Sequence, residues 1–154
     1  TSDNKKSTIK IGTILFSRHS YSYVNDIVKY TTVSIEEIYK KFSKQMIKKP
    51  VEKIIKFIKV QKRHINDPKF INILLNILIE YKHLQVKEII DTCLSKDEER
   101  CKYFIQFNFL SDALLLAEDN NFNKLIPLIA IKASWFGDKE IYDCCNTFFV
   151  EKLK

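Results

Sequence analysis

Four cysteines and three histidines are the side chains most able to hold a metal or to pair a nucleophile with a base, and their spacing argues against both. Cys93, Cys101, Cys144 and Cys145 form no C-x-x-C pair. Adjacent cysteines such as Cys144 and Cys145 leave a helix about 100° apart and do not readily aim both sulfurs at one ion. The reading is reduced, buried thiols in a cytosolic protein, with no disulfide and no metal. His19, His64 and His83 have neither a histidine nor a cysteine three or four residues further along. Asp97-Glu98-Glu99 would supply paired carboxylates, but three acids in a row also suit a helix start, where the dipole favours negative charge. Asp112 and Glu118-Asp119 read the same way, as a start acid and a polar turn. The serine-rich stretch Ser17–Ser22 surrounds His19 without placing an acid to orient it. No nucleophile elbow, zincin, Walker or dinucleotide motif occurs. The chain is expected to be no enzyme and to use no cofactor, so its function must come from the surfaces its elements offer.

Those elements are read as helices. Only Gly12 and Gly137 are glycine, and proline is limited to Pro50, Pro68 and Pro127. Such scarcity argues against tight β-hairpins and phosphate-cradling loops. A hydrophobic content of 45% in 154 residues excludes wholesale disorder and suits about one domain. The longest apolar stretch, Phe70 to Ile79, is interrupted by Asn72 and Asn76 and falls short of a membrane span of about 18 residues. With no initiator Met and no signal-peptide pattern, the chain is expected to be a piece of a longer protein.

Along the chain, Thr1 to about residue 8 reads as loose, and Ile9 to Phe16 is left open between a strand and a short helix. Ser20 or Ser22 caps a helix to about Tyr30. Ser34 and Glu37 make a capping box, opening a helix with Ile35, Ile38, Tyr39, Phe42 and Met46 on one face. Pro50 suits a first turn, followed by Val51, Ile54, Ile55 and Ile58. Asp67-Pro68 is a strong start signal for the broad stripe Phe70, Ile71, Leu74, Leu75, Leu78 and Ile79. Leu84 to Leu94 follows the break at Lys82-His83. A second capping box, Ser95 and Glu98, opens a helix with Cys101, Phe104 and Ile105 that ends at Asn108. Ser111 or its neighbourhood opens Asp112 to Glu118, and Asn120-Asn121 turns the chain. Phe122 to Ala133 contains Pro127, which kinks it or delays its start. After Gly137-Asp138 the last helix carries Ile141, Cys144, Cys145, Phe148, Phe149 and Leu153. The fold class is therefore all-α: about nine helices in antiparallel hairpins, stacked as a short α-solenoid with a period of roughly 25 to 30 residues. It is read as a single helical domain over 1–154, with a basic part at 9–65 and stacked hairpins at 66–154.

Charge is uneven. Residues 1–64 hold 15 Lys and Arg against 5 Asp and Glu, and the remainder holds 11 against 14. The excess gathers between Lys40 and Arg63, where Lys49, Lys53, Lys56, Lys59, Lys62 and Arg63 form the core of a basic stripe. Such a stripe is either a solvated helix face or a contact for phosphates, acidic lipids or an acidic protein. Phe42 and Phe57 interleave with it at core spacing, not as a stacking platform for bases.

From Phe70 to Tyr142 the chain shows a helix with a polar break, FINILLNILIEYKH, and then LQVKEIIDTCLSKDEERCKYFIQFNFLSDALLLAEDNNFNKLIPLI. This order of helix, acidic turn, short break at Asn108 and alanine-bearing helix resembles the C-terminal helical region of the sixteenth vacuolar-protein-sorting subunit and its metazoan paralogue. Asn108 stands where that family usually has glycine. The resemblance implies a scaffold that binds an SM-type SNARE regulator, serves tethering and fusion, and is cytoplasmic and peripheral to late endosome or lysosome membranes. It directs attention to the hairpins from Gln85 to Asn123, where helical spacing exposes Lys87, Asp91, Arg100, Lys102, Tyr103 and Gln106. Leu115 and Leu116 cannot both face one core, which makes Leu115 a candidate apolar anchor. Two alternatives stand beside it. One is a viral Bcl-like bundle capturing a host helix, although Trp135-Phe136-Gly137 departs from the groove motif of such proteins. The other is nucleic-acid or acidic-lipid binding through Lys40–Arg63.

Overall fold

The computed structural model describes residues 2–152, and these form ten helices and no strand. They are α1 (Ser2–Ser17), α2 (Tyr21–Tyr30), α3 (Ile35–Met46), α4 (Val51–His64), α5 (Pro68–Leu78), α6 (His83–Cys93), α7 (Asp97–Gln106), α8 (Leu110–Asn120), α9 (Ile126–Trp135) and α10 (Lys139–Lys152). The helix beyond the expected nine is α1. It takes in both Ser2 to Thr8, expected loose, and Ile9 to Phe16, left open between strand and helix. Its stability is tertiary. Gly12 lies so close to α3 that a Cβ there would sit 2.7 Å from Cδ1 of Ile38, and Lys5 pairs with Glu37 at 2.9 Å. The expected place of Leu153 on the last helix, and Thr1, fall outside the described residues.

Helix starts follow the local chemistry where a side chain reaches the backbone. Ser34 accepts from the Glu37 N–H at 3.2 Å, and Asp67 accepts from the Lys69 N–H at 3.0 Å ahead of Pro68. Ser20 precedes α2 without a side-chain cap bond. The Ser95–Glu98 box does not form. Lys96 occupies the cap position without a side-chain bond, and the first-turn acids of α7 interact with the helix dipole instead. Pro127 delays α9 to Ile126, so Phe122 to Leu125 belong to the preceding turn. Four helix ends share one device. His19, Asn108, Asn121 and Gly137 have φ of 58°, 67°, 59° and 68°. The next residue in each case donates its N–H five residues back: Ser20 to Leu15, Phe109 to Phe104, Phe122 to Ala117 and Asp138 to Ala133, at 2.8–2.9 Å. This is the Schellman closure that glycine or asparagine favours. Asn108 therefore supplies the backbone conformation that glycine would.

The chain divides into two compact units, the first ending at Val86 and the second starting at Lys87, so the division falls within α6. In the first unit α3 packs against both α1 and α5. Phe16, Ile38, Ile54, Ile58, Phe70, Leu74, Leu75 and Leu78 are fully buried there. In the second, α7 packs on α8 and α9 on α10. Ala113, Ala117 and Ala133 are fully buried, and Cys101 donates its thiol to the Ala113 carbonyl at 3.3 Å. Small side chains let these backbones approach, whereas the first unit fills its interior with rings.

Candidate protein-binding surfaces

The residues expected to bind a partner fall into two groups. One holds the second unit together. Lys87 of α6 pairs with Asp112 of α8 at 3.1 Å. Arg100 of α7 bonds Asp97 on its own helix and lies 3.9 Å from Asp91 of α6. Its side chain is only 23% exposed, so it is not the exposed contact that helical spacing suggested. Tyr103 is half-buried and stacks on Phe107 at 6.0 Å, and burial, with Glu99 nearby, pushes its hydroxyl pKa up. The other group faces solvent. Asp91, Gln106 and Lys102 are exposed, and Lys102 pairs with Glu98, one turn away at 3.4 Å. Leu115 is 61% exposed while Leu110, Ala113, Leu114 and Ala117 of the same helix are buried. Lys132 of α9 closes the end of α7 from outside the helix. Its ammonium donates to the carbonyls of Ile105 and Gln106 at 2.8 and 3.0 Å and to Oδ1 of Asn108 at 3.1 Å.

The basic stripe separates into two faces. Lys53, Lys56, Lys59 and Arg63 are exposed on α4, with Lys62 half-buried. Lys49 lies instead with Lys41, Lys44 and Lys48 around a concavity at the end of α3. Lys6 and Lys10 of α1 join Lys41 at a second concavity. Reading by sequence proximity missed these two because α1 was not assigned as a helix.

Two further clusters were also hidden by sequence separation. His19 and His64 approach to 6.2 Å between ring centroids, with His19 stacked on Phe57 at 4.6 Å and its Nδ1 hydrogen-bonded to the Tyr21 hydroxyl. Desolvation, and secondarily His64, lower the His19 pKa, while burial pushes Tyr21 up to about 12. A neutral imidazole against a neutral phenol, with no carboxylate among the described residues bonded to either, is packing rather than acid–base machinery. In the second unit, Trp135, Ile131, Tyr142 and Phe149 line a concavity of about 390 Å³ between α9 and α10, with Trp135 72% exposed. The signal was legible in α9, whose apolar residues continue around the helix to Leu128 and Ile131. Among the described residues no group of three or more His, Cys, Asp or Glu is placed to hold a metal ion. Cys93, Cys101 and Cys145 are buried and Cys144 is exposed.

The odd-numbered helices open at Ser2, Ile35, Pro68, Asp97 and Ile126, so the hairpins recur after 33, 33, 29 and 29 residues. The first two steps exceed the expected 25 to 30 and approach the 34 of tetratricopeptide repeats. Residues 34–150 match the family model for ZFYVE26-like TPR repeats. The chain belongs to the ZFYVE26-like TPR-repeat family. The match begins at the Ser34 cap of α3, leaving α1 and α2 before it. No curated protein and no solved structure matches the chain. A TPR-repeat chain is a protein–protein interaction scaffold, a type that is typically non-enzymatic. The ZFYVE26-like match agrees with the vacuolar-sorting resemblance in its stacked helical hairpins and names no link to that subunit. It overturns the Bcl-like alternative, because a TPR-repeat chain pairs successive hairpins and does not enclose one central helix.

Proposed function

We propose that this repeat scaffold holds an SM-type SNARE regulator in a tethering complex, as a peripheral component at late endosome or lysosome membranes. Membership of a helical-repeat family supports the scaffold part of the reading. The partner and the location rest on the resemblance of residues 70–142 to the vacuolar-sorting subunit. No helix among the described residues is long and apolar enough to cross a membrane. The proposed contact face lies on α7 and α8. Leu115 is its apolar anchor, and the exposed Lys102 and Gln106, one turn apart on α7, belong to its polar rim. Lys87, Arg100 and Tyr103 shape this face by holding α6, α7 and α8 in place.

The observation that carries the choice of face is the exposure of Leu115 on a helix whose other apolar residues are mostly buried. An anchor that becomes desolvated contributes far more than a rim charge. Calorimetric titration with a purified SM-type protein tests this. Leu115→Asp is expected to cost about 2 kcal/mol of binding or more, and Lys102→Glu under about 1 kcal/mol. Wild-type chain that shows no binding heat would sink the partner reading.

A further inference from the structure

Six lysines of the first unit line two concavities that share Lys41 and Gln45 and together form a groove, with no carboxylate among the described lining residues. A concavity of about 670 Å³ is lined by Lys6, Ile9 and Lys10 of α1 with Lys41 and Gln45 of α3. Lys41 and Gln45 also line the adjoining concavity of about 370 Å³, together with Lys44, Lys48 and Lys49. The acids of α1 and α3 all lie in first turns, as Asp3, Glu36 and Glu37. Two of them are already paired, Glu37 with Lys5 at 2.9 Å and Glu36 with Lys69 at 3.2 Å. Among the described residues none of the six groove lysines has an ion pair. Like charges gathered in a concavity raise the local positive potential, and an entering anion lowers it.

We propose that this groove takes an acidic peptide segment of a partner protein. Its Asp and Glu carboxylates pair with the lysines, and its chain lies over Ile9 and the lysine stems. Three features select a peptide among anions. The charges line a recess, whereas a bilayer meets a projecting surface. The groove contains no arginine to grip phosphate bidentately and no aromatic ring to stack a base. Ile9 and the methylene stems offer apolar surface between the charges, and the Gln45 amide can both donate to and accept from a peptide backbone. The site lies on α1, α3 and the turn that follows α3, and does not depend on the SM-type reading.

Fluorescence anisotropy of a fluorescein-labelled peptide of repeated Glu-Leu-Asp triplets, titrated with the full chain, tests the proposal. Saturable binding is expected, weakening as salt is added. The double variant Lys41→Glu/Lys44→Glu should weaken it about tenfold or more, while Lys53→Glu/Lys56→Glu on α4 should leave it within about twofold. All four lysines are exposed, and circular dichroism checks that both variants keep their helix. No saturable binding, or equal weakening by the two double variants, overturns the proposal. Phosphatidylserine vesicles and a single-stranded oligonucleotide are run in parallel. If either binds more tightly than the peptide and depends on Lys41 and Lys44, the groove is a phosphate site and the peptide assignment fails.

Discussion

In the first unit Phe16 of α1 meets five other rings. Tyr21, Tyr39, Phe42, Phe57 and Phe70 lie 5.0–5.7 Å away between centroids, contributed by α2, α3, α4 and α5. In the second unit the helices close over Ala113, Ala117 and Ala133 and are cross-linked by the Lys87–Asp112 and Arg100–Asp91 pairs. Residues 1–86 carry 17 Lys and Arg against 7 Asp and Glu, and residues 87–154 carry 9 against 12. The hairpin plan thus fixes the spacing of apolar faces but neither the way the interior is filled nor the sign of the surface. One unit has spare positive charge to offer an anionic partner. The other spends much of its charge on pairs between and within its own helices, Lys87–Asp112, Arg100–Asp91, Arg100–Asp97 and Lys102–Glu98.

The largest test of this contrast is Phe16→Ala. Phe16 is 1% exposed and lies at the centre of the ring cluster, so the loss should be about 3–5 kcal/mol, as for a buried phenylalanine cut to alanine. Hydrogen exchange read by mass spectrometry should show α1 to α5 losing protection while α7 to α10 keep theirs. Equal loss in both units would mean that they unfold as one and that the contrast has no energetic meaning.

The corresponding test in the second unit is Lys132→Met. It keeps the apolar stem and removes the ammonium from the Ile105, Gln106 and Asn108 oxygens. Hydrogen bonds from a charged donor contribute about 1.5–3 kcal/mol, and this is the expected drop in urea unfolding free energy. A change below about 0.5 kcal/mol would mean that water serves the end of α7 as well as Lys132 does.

How much of this was legible in the sequence depends on whether the deciding contact is local. The starts of α3 and α5 were readable because Ser34 and Asp67 act on N–H groups two or three residues ahead. The ends at Asn108, Asn121 and Gly137 were readable because few residues accept positive φ. Ser95 looked like a cap and is not one, since the chain turns one residue later at Lys96. The helix α1 was unreadable from its own residues, because its stability comes from Gly12 lying on Ile38. The groove lysines Lys6 and Lys10 were missed with it, and so was the approach of His19 to His64.

A smaller change, of opposite sign, is expected from Gln61→Leu in α4. Gln61 is 1% exposed, and among the described residues neither its Oε1 nor its Nε2 has a hydrogen-bond partner. Replacing a buried unpaired amide by an apolar side chain of similar size removes a desolvation cost, so stability should rise by about 1 kcal/mol. The denaturation midpoint should move up without a change in slope. A fall would mean that the amide bonds through ordered water.

The smallest effect expected is that of mild acid acting through His19, which lies in the first unit. The folded-state pKa of His19 lies below the ordinary 6.5, chiefly by desolvation, so the folded chain resists protonation more than the unfolded chain does. The unfolded state then binds more protons below pH 6.5. Stability is therefore flat above that value and falls as pH drops from 6.5 through the lowered folded value. The effect is small because the ring is only partly buried. His19→Asn is the suitable comparison, since asparagine tolerates the φ of 58° but does not titrate. Unfolding free energies of wild type and variant should differ by a constant amount above pH 6.5 and shift in the variant's favour below it. Parallel curves through that window would show that His19 is hydrated in the folded chain and that the stack on Phe57 does not exclude water from the ring.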